Sequence, residues 1–399
     1  QLIKEIAPDG KYASYEYSPI GLVVKKSVYS AANELKNQIS YEYNSKGQLV
    51  KQTDFNNKFS SYTYDLAGNI LTSTSNINGN TQSVTSYEFD SMNRLKKVTS
   101  PKAEVTEYSY SPLGELLQIK DPNQKITSFE YNLKGQLIKK TDPAGLVYEM
   151  TYDINGNLLT EKDPANQLKQ YTYNEVNKIT KVQTADDIIL YNYNIKDEVI
   201  GLTNNTAAID YQRDLKQRIT QEVVTGNSLN YPAHMLNVEY NKLDQRTLLQ
   251  SNFQNISYEF NQSNDQLSGI SSSATGNYNF YFDDASRLSA IVRPGSRTEY
   301  TFDTGSSLER IAHISNNVIK SSHEYSYDLR NYITQKRSTA GVLDYSYDSN
   351  GQLISANKAA DNTQNESFTY DALGNRLTYN GVASTFDNSG QRIQDDGQF

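Results

Sequence analysis

The sequence has no cysteine, no tryptophan and only three methionines. Without cysteine there is no disulfide framework, no thiolate metal site and no cysteine nucleophile. Hydrophobic residues make up 36 % of the 399 positions, which is low for a globular chain of this size. Long amphipathic helices need runs of Ala, Leu and Met, and Met is nearly missing. No apolar run reaches the roughly 18 residues of a spanning helix, so no membrane span is expected. A basic surplus is also missing: the net charge is -8. Nucleic-acid binders carry a basic footprint, so no nucleic-acid partner is expected. The chain begins at Gln1 with no charged-then-apolar leader after it. It reads as a mature piece or a cut-out of something longer.

What the chain has is tyrosine: 32 Tyr beside 12 Phe. Aromatic residues suit a half-buried pleated surface, so the composition favours strands. The aromatics are also periodic. An aromatic followed by Asp, Asn or Ser recurs at Tyr17, Tyr43, Tyr64, Phe89, Tyr110, Tyr131, Tyr152, Tyr173, Tyr193, Tyr240, Phe260, Phe282, Phe302, Tyr327, Tyr347, Tyr370 and Phe386. Arg213 fills the same place in one degenerate copy, which makes eighteen repeats. From Phe89 to Tyr173 the spacing is 21 residues four times running. Periods of this length mark repeat architectures.

Each position in the repeat has a physical reason. Two residues before the anchor stands another aromatic in most copies, such as Tyr62 before Tyr64. Residues two apart share a strand face, so these pairs build one aromatic ladder. The residue between them (Thr63, Glu88, Ser109) points the other way. The Asp, Asn or Ser after the anchor bonds backbone amides two residues on and starts a turn. Four after the anchor comes Gly in nine copies and Asn or Asp in six more. That position reads as the left-handed residue of a short hairpin loop. Six after the anchor, an aliphatic in fourteen of eighteen copies begins the return strand. The clearest motifs are Tyr64-Asp65 with Gly68, Tyr131-Asn132 with Gly135, Tyr152-Asp153 with Gly156, Tyr347-Asp348 with Gly351, and Tyr370-Asp371 with Gly374. A second turn, clearest at Asp121-Pro122, Asp142-Pro143-Ala144-Gly145 and Asp163-Pro164, closes the other end of each hairpin.

Turns at both ends make every strand antiparallel to the next. The predicted fold is all-β: one long antiparallel strip of tandem hairpins, spiralling into a hollow shell or barrel. Residues 1–399 form one repeat-built segment with no separate second domain. At about 4.8 Å per strand the strip is about 170 Å wide, and one closed turn of it would be about 55 Å across. Both terminal edges read as unpaired.

Little in the sequence points to catalysis, and no cofactor or metal is expected. His234, His313 and His323 are scattered and read as surface or turn residues. Most aspartates follow an anchor and are explained by the turn. The loops starting at Asp153 and Asp348 faintly resemble calcium loops but lack the downstream bidentate glutamate. Lys25-Lys26, Lys96-Lys97 and Lys139-Lys140 read as solvent-facing positions on return strands. The tyrosine ladder reads first as packing, with sugar stacking as the alternative. The longest interval, Arg213 to Tyr240, holds Gly226, Asn227, Pro232 and His234 and reads as an enlarged loop, a candidate contact or seam.

The strings YDLAGNIL, YNLKGQLI, YDINGNLL, YDSNGQLI and YDALGNRL, with connectors KKTDPAG and TEKDPANQ, closely resemble the YD-repeat or RHS-repeat family. That family includes bacterial Rhs polymorphic toxins, the C subunits of Tc toxin complexes and teneurins. The resemblance covers the chain from about Tyr15 to Ile393. It implies a spiralling sheet wound into a hollow shell, secreted or at the cell surface, and bacterial. In toxin members the shell encloses a C-terminal toxic domain; in teneurin-like members a similar barrel serves recognition. The implied partners are a toxin or effector polypeptide as cargo, or a flanking shell subunit. The alternative is a recognition module for surface glycans or proteins. The toxin members' self-cleaving core segment and variable toxin domain are not in this sequence. Asp142-Pro143-Ala144-Gly145-Leu146 matches part of the cleavage string but sits at an ordinary connector between repeats.

Overall fold

The computed structural model describes residues 1–7, 9–77, 81–226, 233–359, 361–386 and 392–394. Thirty-six strands form one antiparallel sheet. Each strand pairs with the next one in the chain. A separate two-stranded pair, Thr385–Phe386 with Arg392–Gln394, follows. Among the described residues the helical content is one 3-10 turn, Asn362–Gln364, and no helix is long and apolar enough to cross a membrane. The all-β meander read from the repeat is the fold.

Anchor aromatics end their strands, as in Phe59–Tyr64, Gln82–Phe89 and Val147–Tyr152, and the ladder slips by one residue there. The turn causes the slip. Gly68 N–H donates to the Asp65 carbonyl (3.3 Å), and Asp65 N–H donates to the Asn69 carbonyl (3.0 Å). Gly68 lies at φ +99°. This is a type I turn followed by a left-handed residue, whose bulge sets two residues against one. Connector turns such as 54–58, 100–104 and 163–167 repeat the geometry, as where Asn57 N–H donates to the Asp54 carbonyl (3.1 Å) with φ +60°, whereas those at 184–187, 204–207 and 251–254 are one residue shorter.

Two local readings change. After Phe260 the loop is one residue longer, and the left-handed residue is Asp265 (φ +56°) rather than Asn264. Asp265 N–H donates to the Asn261 carbonyl (2.8 Å), and the return strand starts at Leu267. Between Arg213 and Tyr240, much of the extra length goes into strand rather than loop. Ala207–Arg213 and Ile219–Gly226 pair over seven positions. Asn227 and Pro232 lie outside the described residues.

Among the described residues no second layer covers the sheet. Among the described residues the buried apolar side chains are Val182, Val238, Ala312, Ile314 and Ala356. The accessible surface is 23914 Å². A solid globule of 45.1 kDa would expose about 16,000 Å². Most domains bury one sheet face against another layer. Here each strand gains its contacts from the strands beside it, so stability is spread over neighbour interfaces.

The strip winds back onto itself. The connector turn at residues 54–58 joins the fifth and sixth strands, and the anchor turn it meets, at 303–307, joins the twenty-eighth and twenty-ninth. One winding therefore takes 28 − 5 = 23 strands. The same interval separates residues 102 and 348, and 123 and 371. At about 4.8 Å per strand this gives a circumference of about 110 Å and a width of about 35 Å, backbone to backbone. The 55 Å cylinder is thus too wide, because it spends all the strands on one turn. Twist coils the strip, and its two edges then meet in an overlap. Sheets packed through their side chains lie only about 10 Å apart, so this interior is not filled by the wall's own residues.

Candidate functional site: repeat turns and the winding seam

The five clearest motifs all fall at anchor turns. Gly68, Gly135, Gly156, Gly351 and Gly374 have φ of +99°, +75°, +96°, +85° and +87°. The first three triplets stand on the first winding. Asp348 and Asp371, with their glycines, stand where the second winding meets the first. They are distributed along the wall and do not converge on one point.

A side-chain clamp closes many of these turns, and the sequence reading missed it. Where the residue after the anchor is Asp, the residue four further on is often a donor. Asn69 Nδ2 donates to Asp65 Oδ2 (2.8 Å), Asn157 Nδ2 to Asp153 Oδ2 (2.8 Å), and Arg94 Nε to Asp90 Oδ2 (2.7 Å). Where it is Asn or Ser, the partner is an acceptor. Asn44 Nδ2 donates to Gln48 Oε1 (2.8 Å), Asn132 Nδ2 to Gln136 Oε1 (2.8 Å), and Ser111 Oγ to Glu115 Oε2 (2.8 Å). The backbone adds to the grip: Asn157 N–H donates to Asp153 Oδ1 (2.8 Å). The Asn69 and Asn157 amides hold the Asp65 and Asp153 carboxyls below the ordinary carboxylate range. The calcium-like loops are therefore hairpin loops whose first carboxylate is already engaged. The signal was legible in which residue types pair at this spacing.

The anchor hydroxyl ties one hairpin to the next. Tyr64 Oη donates to the Leu49 carbonyl (2.6 Å), Tyr110 to Leu95 (2.9 Å), Tyr152 to Leu137 (2.8 Å) and Tyr370 to Leu353 (2.8 Å). Each acceptor is the first residue of the preceding hairpin's return strand. Burial pushes these tyrosine hydroxyls above their ordinary pKa. The degenerate Arg213 preserves the link, since its Nη2 donates to the Val199 carbonyl (3.2 Å). Arg213→Met should therefore loosen this junction by about 1–2 kcal/mol, while Arg213→Tyr should not. Hydrogen exchange of residues 199–203 checks this. Equal exchange in the two variants would mean the carbonyl gains nothing from its donor. Gly156→Val should raise exchange across residues 150–159 by an amount equivalent to about 2–3 kcal/mol, because a β-branched residue resists positive φ.

The two faces differ. One carries the aromatic ladder. The other carries rows of alternating charge: Glu130, Lys139, Glu149 and Lys162 stand opposite one another on four successive strands. Lys139 pairs with Glu130 at 2.7 Å and Lys162 with Glu149 at 3.5 Å. Exposed pairs of this kind add little stability. The lysine doublets divide between the faces. Lys25 and Lys139 are ion-paired on the charged face. Lys26 lies 5.6 Å from the Tyr15 ring centre, and Lys140 lies 5.3 Å from that of Tyr148.

The seam joins six connector turns of the first winding to six anchor turns of the second. It is polar. Asn56 Nδ2 donates to Asp303 Oδ2 (3.1 Å), and Thr304 Oγ1 donates to Asn56 Oδ1 (2.8 Å). Lys102 pairs with Asp348 (3.2 Å), and Asn350 Nδ2 donates to Glu104 Oε2 (2.5 Å). One backbone bond crosses it, from Leu329 N–H to the Ile77 carbonyl (3.1 Å). The approach is close: a Cβ on Gly305 would stand 2.3 Å from Asn56 Nδ2.

Most turn tips of the first winding are aliphatic. Along the first winding the anchor turns present Ile20, Leu66, Met92, Leu113, Leu133, Ile154, Val176, Ile195, Leu215 and Leu243 to solvent. Their exposure runs from 53 % (Val176) to 107 % (Leu133). The tips covered by the seam are mixed: Asp284, Ala285, Thr304, Gly305, Ser349 and Asn350 are small or polar, while Leu329 and Leu373 are aliphatic.

The histidines lie in strands rather than turns, at His234–Tyr240, Leu308–Ser315 and Val318–Tyr327. His313 is exposed, and its Nδ1 lies 3.1 Å from Thr298 Oγ1, which accepts from Arg293 Nη2 (2.8 Å). His313 and His323 stand on adjacent strands, while His234 is seven strands earlier than His313, at 29 − 22. Among the described residues no three His, Cys, Asp or Glu are grouped to hold a metal ion.

The model of the teneurin YD-shell family matches residues 12–205 and 76–242, together more than half of the chain. Among solved structures, TcdB2-TccC3 without its hypervariable C-terminal region is similar with a TM-score of 0.71 and 13 % identity, over 97 % of this chain and 27 % of that one. TcdB2-TccC3-Cdc42 gives 0.63 at 13 % identity, over 98 % and 25 %. The Photorhabdus luminescens Tc holotoxin pore gives 0.55 at 13 % identity, over 98 % and 23 %. At that identity the likeness is one of fold. The chain spans about a quarter of the length of the solved chains it matches. No curated protein matches it in sequence. The turns at the described anchors, the single wound wall and the matched span agree: the chain belongs to the teneurin YD-shell family.

Proposed function

We propose that this shell wall is a non-enzymatic scaffold that encloses or presents another polypeptide outside the cell. The observation that carries this reading is the closed winding. After 23 strands the strip meets its own edge and seals there, around an interior about 35 Å wide from backbone to backbone. An unfolded or partly folded polypeptide fits a space of that width, and a hydrogen-bonded wall keeps proteases from it. The recurring chemistry of the repeat turns serves the wall itself. The Asp65, Asn132, Asp153 and Asp371 side chains are spent on their own loops, and anchor hydroxyls on backbone carbonyls. Residues 1–399 act as one unit in this reading. The similar solved structures include TcdB2-TccC3 and TcdB2-TccC3 without its hypervariable C-terminal region, and a wall that folds without that region supports this reading.

The test is protection. The chain is expressed with its adjoining reading frame intact and subjected to limited proteolysis. A second polypeptide should copurify and resist digestion, then become sensitive when Lys102→Glu and Asn56→Asp open the seam. A copurifying polypeptide digested equally fast with the seam intact, or no such polypeptide at all, overturns the proposal.

A further inference from the structure

We propose that the winding seam is an acid-opened closure: protonating the carboxylates that hold it parts the two windings while the hairpins stay folded. The inference concerns the wall alone and holds whether or not a polypeptide lies inside it. It starts from the unequal bonding of the wall. Neighbouring strands are joined by backbone ladders, as between residues 128–131 and 137–141. Across the seam the described residues share one backbone bond, from Leu329 N–H to the Ile77 carbonyl. At the five other turn pairs a carboxylate takes a bond. Asp9 Oδ2 accepts from Asn264 Nδ2 (3.4 Å), Asp303 Oδ2 from Asn56 Nδ2 (3.1 Å) and Asp371 Oδ2 from Asn123 Nδ2 (3.3 Å). Asp284 pairs with Lys36 (3.8 Å) and Asp348 with Lys102 (3.2 Å), beside the bond from Asn350 to Glu104. The remaining contacts use neutral acceptors, as where Lys58 Nζ donates to Ser307 Oγ (3.0 Å).

Acid acts on this seam twice. Hydrogen bonds to an ionised carboxylate are the strong ones, so protonation leaves ordinary bonds in their place and removes the ion pairs outright. It also unbalances the charge. Lys11, Lys36, Lys58 and Lys102 stand on the first winding's edge, with Asp9, Glu34 and Glu104 beside them. Arg287 and Arg330 stand on the second winding's edge, each paired within its own turn, to Asp283 and Asp328. Once the acids are neutral, cations remain on both sides of the gap. Burial pushes the Asp9 and Asp371 carboxyls up, but their donors outweigh it and hold both below the ordinary range. Those donors include Asn264 and Asn123 from across the seam. The stability these two carboxylates give is therefore present above their unfolded pKa and lost as pH falls through the lowered folded values. Turn aspartates within hairpins weaken in the same way, but backbone ladders that do not titrate flank each of them. Parting breaks no strand pair either. The strip is continuous, and small changes of twist over 23 strands lengthen its pitch.

The wall's own geometry supplies a lock for the test. The chain has no cysteine, and a Cβ on Gly305 would stand 3.5 Å from Asn56 Cβ, within the range of a disulfide. Asn56→Cys with Gly305→Cys therefore bolts the seam at the turn pair next to Leu329. Hydrogen exchange of the Leu329 amide, measured on the whole chain, reads opening. At neutral pH the wild type and the locked chain should protect it alike. At about pH 3, below the ordinary carboxylate range, the wild type should protect it at least about tenfold less than the locked chain does. The ladder amides of Val147–Tyr152 should keep their protection at that pH. Reducing the lock in acid should bring the loss back. The triple variant Asp284→Asn, Asp303→Asn, Asp348→Asn removes three of the acids without acid. Asn already starts such turns at Asn44 and Asn132, so its hairpins should fold. It should lose Leu329 protection at neutral pH. Four results overturn the proposal. They are equal Leu329 protection in wild type and locked chain at about pH 3, exchange at residues 147–152 rising in step with Leu329, a triple variant as protected as the wild type, or a cysteine pair that does not close under mild oxidation. None of these bears on whether the wall encloses a polypeptide.

Discussion

Gly351→Ala is expected to destabilise its hairpin by about 3 kcal/mol, against about 1 kcal/mol for Gly156→Ala. Both glycines are left-handed, at φ +85° and +96°. Their surroundings differ. A Cβ on Gly156 meets the mobile end of Gln136 at 3.2 Å. A Cβ on Gly351 would stand 2.3 Å from Tyr332 Oη and 2.6 Å from its Cζ. That ring cannot move freely. It stacks on Tyr347 with centroids 5.0 Å apart, and the Arg330 guanidinium covers it at 4.8 Å. Displacing the ring forfeits both contacts, each about 0.5–1.5 kcal/mol. The damage should also cross the seam. Asp348, Ser349 and Asn350 of the same turn bond Lys102, Ser83 and Glu104. Hydrogen exchange should therefore rise at residues 100–104 as well as 348–353. A rise confined to the substituted hairpin would show that the windings are not coupled there.

The second large effect is alkaline collapse. Burial raises ten anchor hydroxyls above the ordinary tyrosine pKa of 10.0, among them Tyr43, Tyr131, Tyr173, Tyr193, Tyr327 and Tyr347. Their unfolded counterparts lose the proton first. The stability they give is therefore complete below pH 10 and is lost as pH rises through the higher folded values. Ionisation also removes the proton donated to the neighbouring carbonyl, at about 1 kcal/mol per bond. Summed over a repeat array, these losses make a steep transition above pH 10. Far-ultraviolet circular dichroism should fall in step with the appearance of tyrosinate absorbance. Tyrosinate forming on an intact sheet would mean the hydroxyl links contribute nothing. Acid acts through the aspartates in the opposite sense. The stability given by Asp65 and Asp153 is present above their unfolded pKa and fades as pH falls through the lowered folded values.

The hairpin was legible in the sequence because its determinants are local. An aromatic pair two residues apart, a turn-starting Asp and a residue able to take positive φ lie within seven positions of one another. The extra residue between Phe260 and Leu267 escaped because Asn264 and Asp265 are both acceptable left-handed residues, so counting picks the wrong one. The clamp escaped because it lies in the pairing of types, Asp65 with Asn69 but Asn44 with Gln48, and not in either position alone. The number of strands in one winding could not be read. It depends on a small rotation repeated at every strand, and no single residue type encodes that angle. Once the seam is known, Gly305 and the polar tips around it mark its course.

Because 23 strands complete a winding, the wall behaves as a screw thread with a fixed phase. Adding or losing one hairpin between Lys125 and Asn261 would leave every hairpin chemically intact. Yet it would advance the second thread by one notch. Gly305 would leave Asn56, and Lys102 would lose Asp348. Repeats in such a wall are individually interchangeable but collectively counted, so the array tolerates substitution within a hairpin far more readily than a change in their number.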